Sequence, residues 1–321
     1  MKKIIWGMLG SGDVTEMKNG PGLYLNDNCE LKGIWNRTYE KAIGWSERHN
    51  GCTVYKSVDE LLSDNDIDIV YIATTPDVHK ELALKCIRAK KHVYIEKPIS
   101  MRYEDAEIIL EEAKKYGVKP FVAHYRRALP QFLKAKELID SKYIGDLVSV
   151  RIMSTCTKSS LHGWRGQSQV AGGGHFFEAD IHALDALDMM VGAYEDAQVL
   201  AASYPENNGL ERAVAVLFKW KNGVIGSGMW CFDSDKGRDE IEIFGTKGSI
   251  KVSSGNLLAP MVLTLGKETK EIPFEMPKYI GMPHEKLVAD VLLSGKDDPD
   301  ICTLENAMRT FKLAQMMKDA L

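Results

Sequence analysis

Over its first 123 residues the chain alternates between two kinds of segment, and this alternation limits its fold more than any other feature. Short, mostly apolar runs occur at 3–9 (KIIWGML), 29–35 (CELKGIW), 68–74 (DIVYIAT), 92–97 (HVYIEK) and 120–124 (PFVAH). Between them lie stretches with apolar residues at helical spacing, among them EKAIGWSERH, HKELALKCIRA and YEDAEIILEEAKKYG. Runs that are apolar on both faces need cover on both sides. Strands that alternate with helices supply that cover, so the pattern predicts βαβ units and a parallel sheet. Residues 1–123 are expected to form one α/β domain of the dinucleotide-binding (Rossmann) type.

From residue 146 onward the pattern changes. DLVSVRIMST, AQVLAASY, RAVAVLFKW, GVIGSGMWCF, DEIEIFG, GSIKVS and MVLTLG read as strands joined by tight turns, and Asn222-Gly223 is a strong hairpin signal. Residues 124–321 are therefore expected to be an α+β domain with a large, mostly antiparallel, open-faced sheet that binds substrate and carries oligomerisation. A last helix at 303–320 is expected to pack back on the first domain.

Composition narrows the function classes. The net charge of −4 gives no basic surface for nucleic acid or anionic lipid. No apolar run approaches the roughly 20 residues of a membrane span. The start, MKKIIWGMLGSG, reads as a first strand rather than a signal peptide. The six cysteines are scattered without a C-x-x-C, which points to reduced thiols in a cytoplasmic protein.

Gly7, Gly10 and Gly12 stand where the first strand should turn into a helix, with Asp13 and Val14 beside them. Glycine there permits a tight turn and close approach of the backbone to a pyrophosphate, and the helix start offers free N–H groups. Thr15 occupies the third glycine position of the usual G-x-G-x-x-G and is expected to push the first helix away, after a polar loop (TEMKNGPG). At the end of the second strand, Asn36 stands where an acid would hold a ribose 2′-hydroxyl, and Arg37 follows. A carboxylate would repel a 2′-phosphate, whereas Asn and Arg bind one, so NADP(H) is favoured, with NAD(H) as the other option. Thr74, Thr75 and Pro76 end the fourth strand at the same sheet edge and are expected to wall the ribose and nicotinamide, with His79 opening the next helix.

The fifth strand ends in Glu96, Lys97 and Pro98, so both charges are expected to point to the nicotinamide end of the cofactor. Hydride transfer from an alcohol requires that its hydroxyl proton leave. A lysine partly desolvated beside a positive ring is suited to accept it. A second constellation is AGGGHFFEADIHALD at 171–185. Three glycines precede a helix on which Glu178 and His182 are four apart and share a face. They read as a substrate-binding or proton-relay pair. No H-E-x-x-H or C-x-x-C accompanies them, so no metal is expected. Tyr125 and Arg126, after the sixth strand, and Trp164 and Arg165, before the glycines, are further candidates to touch substrate.

The glycine turn at 7–12, ATTPDVH, EKP, RRALPQFLKAKELIDSKYIG, GGGHFFEADIHALD and FGTKGSI together resemble the glucose–fructose oxidoreductase, inositol dehydrogenase and MocA family over nearly the whole chain. The resemblance implies a Rossmann domain, a sheet domain, substrate in the cleft between them, Lys97 and His182 as acid/base pair, and a homodimer or homotetramer built on the open sheet. Its usual Asp is replaced by Glu178, and Asp180 replaces a residue that is usually small or apolar. The expected activity is NAD(P)-dependent oxidation or reduction of a carbinol or carbonyl in a sugar, cyclitol or related polyol. Two other uses of such a chain are an NAD-dependent glycosidase that oxidises its substrate transiently and a cofactor-sensing regulator without catalysis.

Overall fold

The structure is a computed structural model and describes residues 2–157, 163–204 and 209–321, without the side chains of Trp164 and Arg165. The chain divides into two compact units. The first comprises Met1–Ala128 with Pro277–Ala307, and the second comprises Leu129–Met276 with Met308–Leu321. A boundary drawn in chain order at 123 leaves 277–307 with the second unit, whereas those residues group with the first.

In the first unit the elements run β1 (Ile4–Leu9), α1 (Asp13–Met17), α2 (Gly22–Leu25), β2 (Cys29–Trp35), α3 (Tyr39–Arg48), β3 (Thr53–Val54), α4 (Val58–Ser63), β4 (Ile69–Ile72), α5 (His79–Arg88), β5 (His92–Ile95), α6 (Tyr103–Tyr116) and β6 (Pro120–Val122). The strands form one sheet in the order β3-β2-β1-β4-β5-β6, with every pair parallel. The expected doubly covered parallel sheet is present, because β4 and most of β1 and β5 are buried along their length. Strand order reverses at β1, so the loops after β1 and β4 diverge at the carboxyl edge. That is where ligands of such sheets bind.

Thr15 does not displace the first helix. It is fully buried, and its hydroxyl donates to the Gly12 carbonyl at 2.7 Å, which closes the first turn on itself. The helix is instead broken into two short pieces, α1 and α2. The helix Met282–Ser294 packs on β1 and α2 and completes their cover. Its Val288, Ala289 and Val291 join a core cluster with Trp6, Tyr71 and Tyr94. Tyr94 sets its ring edge-on to Trp6 at 5.8 Å and shares a 2.8 Å hydrogen bond with His284. The Val122 N–H donates to the Cys302 carbonyl at 3.0 Å, so the returning chain also pins β6.

The second unit contains α7 (Pro130–Asp140), β7 (Leu147–Thr155), α8 (Ser168–Ala171), α9 (Ile181–Val191), β8 (Tyr194–Ser203), β9 (Glu211–Trp220), β10 (Ile225–Cys231), β11 (Arg238–Gly245), β12 (Gly248–Val252), β13 (Met261–Leu265) and β14 (Glu268–Ile272). Its sheet runs β14-β13-β12-β11-β7-β10-β9-β8 and is antiparallel except where β7 meets β10. Asn222-Gly223 forms the β9–β10 hairpin turn, with Gly223 at φ +86°. All of α9 is buried, and α7 packs on it. Leu200, Leu217, Ile225 and Met229 are exposed on β8, β9 and β10. Of the helix Leu304–Asp319, the part to Ala307 groups with the first unit and the rest with the second. Arg309 grips the buried Asp188 of α9 through two bonds, 2.8 and 2.5 Å long. No helix among the described residues is long and apolar enough to cross a membrane.

Candidate active site

The residues proposed for cofactor come together at the carboxyl edge of the parallel sheet. Gly10 has φ +104°, and a Cβ there would lie 2.6 Å from the Ala73 carbonyl oxygen, so the turn after β1 and the end of β4 touch. The Gly10 N–H donates to Trp35 at the end of β2, 2.8 Å away. Asn36 donates to the Ser11 hydroxyl and accepts the Thr38 N–H at 3.1 Å, which joins the turns after β1 and β2. Arg37 is exposed and forms no ion pair among the described residues. Gly7 differs from the other glycines. It lies inside β1, and a Cβ there would meet the Leu61 side chain at 2.9 Å, so it serves packing.

Gly12 is exposed, and a Cβ on it would meet nothing within 4 Å. It starts α1 without a side-chain cap, with Asp13 exposed and Val14 half-buried behind it. The Thr74 hydroxyl is buried without a hydrogen-bond partner among the described residues. Thr75 is half-buried and Pro76, which opens a short 3₁₀ turn to Val78, is buried. A bare glycine backbone and an orphaned hydroxyl on one edge fit a dinucleotide, whose phosphates and ribose would occupy them.

His79 and Glu96 are drawn into the protein. His79 is fully buried between the carbonyls of Pro98 and Thr74, 3.0 Å from each ring nitrogen, and burial pushes its imidazole below the ordinary range. It ties the ends of β4 and β5 together. Glu96 Oε1 accepts from the Tyr71 hydroxyl at 2.6 Å and from Asn19 Nδ2 at 2.6 Å, while Oε2 accepts the Lys97 N–H at 3.2 Å. Burial pushes the Glu96 carboxyl up, against the pull of Lys97 and Tyr71. The expectation from sequence points Glu96 outward with Lys97. Its acceptors are instead spent on Asn19 and Tyr71, while Lys97, half-buried at a cis peptide with Pro98, follows it in the chain.

Sequence reasoning missed Glu285. It is fully buried on the helix Met282–Ser294, and neither of its oxygens has a hydrogen-bond partner among the described residues. Burial first, and then the nearby Glu96 charge, push it well above the ordinary carboxyl range, which favours its protonated form. Only the fold brings it near Glu96, and no local motif could have signalled that. Tyr125 and Arg126 are both buried in a short 3₁₀ turn, with the guanidinium over the Tyr125 ring at 5.3 Å.

In the second unit the glycine turn at 172–174 runs into a single π turn, Phe176–Asp180, and then into α9. The Phe177 ring forces the glycines, since a Cβ at Gly172 or Gly173 would lie 2.7 or 2.6 Å from that side chain. Phe176 packs edge-on against Trp230 at 4.9 Å. Glu178 is half-buried in the π turn, and His182 is buried in the first turn of α9. Helical spacing does not announce the wider turn between them, and such π turns recur at functional sites. The side chains of Trp164 and Arg165 lie outside the described residues.

A parallel sheet whose first strand ends in an open glycine cradle, with a half-buried lysine following the fifth at the same edge, fits a dinucleotide-binding oxidoreductase. The model of the oxidoreductase family with an NAD-binding Rossmann fold matches residues 4–124, and the GFO/IDH/MocA C-terminal domain matches residues 132–251. The chain belongs to the Gfo/Idh/MocA family of oxidoreductases. It is 33% identical over 313 residues to Oxidoreductase P35 of Formosa agariphila, covering 95% of each chain. It is 27% identical to 1,5-anhydro-D-fructose reductase of Ensifer adhaerens over 76% of this chain and 74% of that one. Its fold superposes on the aldose-aldose oxidoreductase of Caulobacter crescentus with a TM-score of 0.88, at 20% identity and with 99% and 97% of the two chains covered.

Proposed function

We propose that the enzyme oxidises or reduces a carbinol or carbonyl carbon of a sugar, cyclitol or related polyol, with Lys97 and His182 as its acid/base pair. The observation that carries this reading is Lys97 itself. It leaves β5 at the edge that holds the Gly10–Gly12 cradle, and its neighbour Glu96 is tied inward by Asn19 and Tyr71. The relative named as a 1,5-anhydro-D-fructose reductase supports a sugar-like substrate.

When bound, the dinucleotide supplies or takes up the hydride. Lys97 Nζ takes the substrate hydroxyl proton in oxidation and returns it to the oxygen in reduction. Positioned proton transfer of this kind contributes roughly 10²–10⁴-fold. His182 is the other member of the acid/base pair, and Glu178 hydrogen-bonds a substrate hydroxyl. Tyr125, Arg126, Trp164 and Arg165 belong to the substrate side. Gly12, Asp13 and Val14 face the phosphates, and Thr74, Thr75 and Pro76 face the ribose. Asn36 and the exposed Arg37 favour NADP(H) over NAD(H), since Arg pairs with a 2′-phosphate and no carboxylate stands there to repel it.

The exposed row of Leu200, Leu217, Ile225 and Met229 supports a homodimer or homotetramer through the sheet face, which light scattering measures directly. The six scattered cysteines fit a reducing, cytoplasmic compartment. The function is tested with Lys97→Met on the sugar, cyclitol or dicarbonyl that the wild type turns over. Turnover should fall at least about 10²-fold while dinucleotide binding is kept. A variant that retains near-full rate overturns the mechanism.

A further inference from the structure

We infer that Glu211, at the start of β9, is a positioning residue that fixes the glycine turn and the π turn bearing Glu178, at the start of the helix that carries His182. The inference rests on the acid/base reading above, which gives that helix its task. Glu211 is completely buried. Its Oε2 accepts the Gly174 N–H at 2.8 Å, and its Oε1 accepts the Phe176 N–H at 2.6 Å. Those amides open the helical run, and a helix start leaves its first N–H groups without intrahelical partners. Ordinarily a Ser, Thr, Asp or Asn just before the helix serves them. His175 stands there instead and makes no side-chain capping bond. A carboxylate 35 residues further along the chain takes its place.

Three features indicate that this carboxylate was fitted to the turn. First, a Cβ on Gly174 would lie 2.8 Å from Oε2 and 2.9 Å from Cδ of Glu211, so any side chain there would have to displace the carboxyl from the turn. Second, β9 buries Val214, Val216, Phe218 and Trp220, an alternation that would turn residue 211 outward. The pairing with β8 slips between Ala202 and Ser203, so that Ser203 faces Glu211 while Ala202 faces Ala213, and the irregularity aims the side chain inward. Third, Glu211 forms no ion pair among the described residues; burial pushes its carboxyl up, and the Gly174 and Phe176 amides aimed at it pull the other way.

The effect is local. All eleven residues of α9 are buried, so packing holds the helix along its length without Glu211. Glu211 acts at the end that carries the half-buried Glu178, where a shift of about 1 Å can cost on the order of 10²-fold in rate.

The test is Glu211→Gln in the full chain, with Glu211→Asp beside it. Gln keeps the shape but sets an NH₂ against one of the two N–H groups. Asp falls one methylene short of the turn. In Glu211→Gln, amide exchange over 174–178 should quicken at least about tenfold, and kcat should fall at least about tenfold, with KM for dinucleotide within about twofold. Glu211→Asp should lie between. Unchanged exchange overturns the inference, and so does faster exchange with kcat kept within about twofold. If both variants fail to fold, Glu211 is a determinant of the whole unit and the positioning role is overturned. If the wild type turns over no sugar or polyol, the functional reading fails by itself, while the exchange measurement still decides whether Glu211 holds the turn.

Discussion

The turn after β1 and the turn before α9 both depend on glycine, yet a side chain added at Gly12 would meet nothing within 4 Å, and one added at Gly174 would lie 2.8 Å from Glu211. In the first turn Gly10 is packed against the Ala73 carbonyl, but Gly12 leaves the backbone bare, so something from outside can reach it. In the second the protein's own groups fill the space, with the Phe177 side chain against Gly172 and Gly173 and the Glu211 carboxyl against Gly174. A glycine cluster in a sequence announces close approach to backbone, and only the fold tells whether the approaching group is ligand or protein.

The largest test of this contrast is a pair of alanine substitutions. Gly174→Ala should destabilise the protein by about 1–3 kcal/mol through overpacking, read as a lowered denaturation midpoint. Gly12→Ala has room and should leave stability within about 0.5 kcal/mol while weakening dinucleotide binding at least about tenfold, read by titration. Equal stability losses at both sites would erase the distinction. Next in size is Arg37→Asp, which places a carboxylate beside Asn36 on the open side. The ratio of kcat/KM with NADP(H) to kcat/KM with NAD(H) should drop at least about tenfold. An unchanged ratio removes the 2′-phosphate assignment.

The smallest effect concerns the acid buried behind the open turn. Burial, and then Glu96, raise the Glu285 carboxyl well above its unfolded value. The folded state therefore keeps a proton that the unfolded state releases once pH exceeds the ordinary carboxyl range. Stability from this group is complete at low pH and is lost as pH climbs toward the raised folded value. Glu285→Gln lacks that loss, so its thermal midpoint should gain on the wild type by a few degrees as pH rises above the ordinary carboxyl range of about 4–5. A pH-independent difference would mean that Glu285 is ionised or hydrated in the folded protein.

The parallel sheet was legible because β1, β4 and β5 are apolar on both faces. The same signal fails for β3, only two residues long, and for β14, whose polar side chains are nearly all exposed at the sheet edge. Within the candidate site, Gly10, Gly12, Lys97 and His182 stand out because motif spacing marks them. Glu211 and Glu285 do not, since each acts through partners far away in the chain. Alternation in β9 even points Glu211 the wrong way, because the slip in pairing that reverses it leaves no trace in composition. His79 and Glu96 were legible as motif members, but their inward hydrogen bonds were not.

The return of Pro277–Ala307 to the first unit also bears on synthesis. Tyr94 finds its partner in His284, and β6 finds its neighbour in Cys302, so the nucleotide-binding half lacks part of its interior until those residues leave the ribosome. By then the intervening second unit, which lies mostly within Leu129–Met276, has already emerged. The half that begins the chain is therefore completed only near the chain's end, just before Met308–Leu321 completes the other half, and a fragment cut at its apparent end would leave Trp6 and Tyr94 without the wall that keeps them dry.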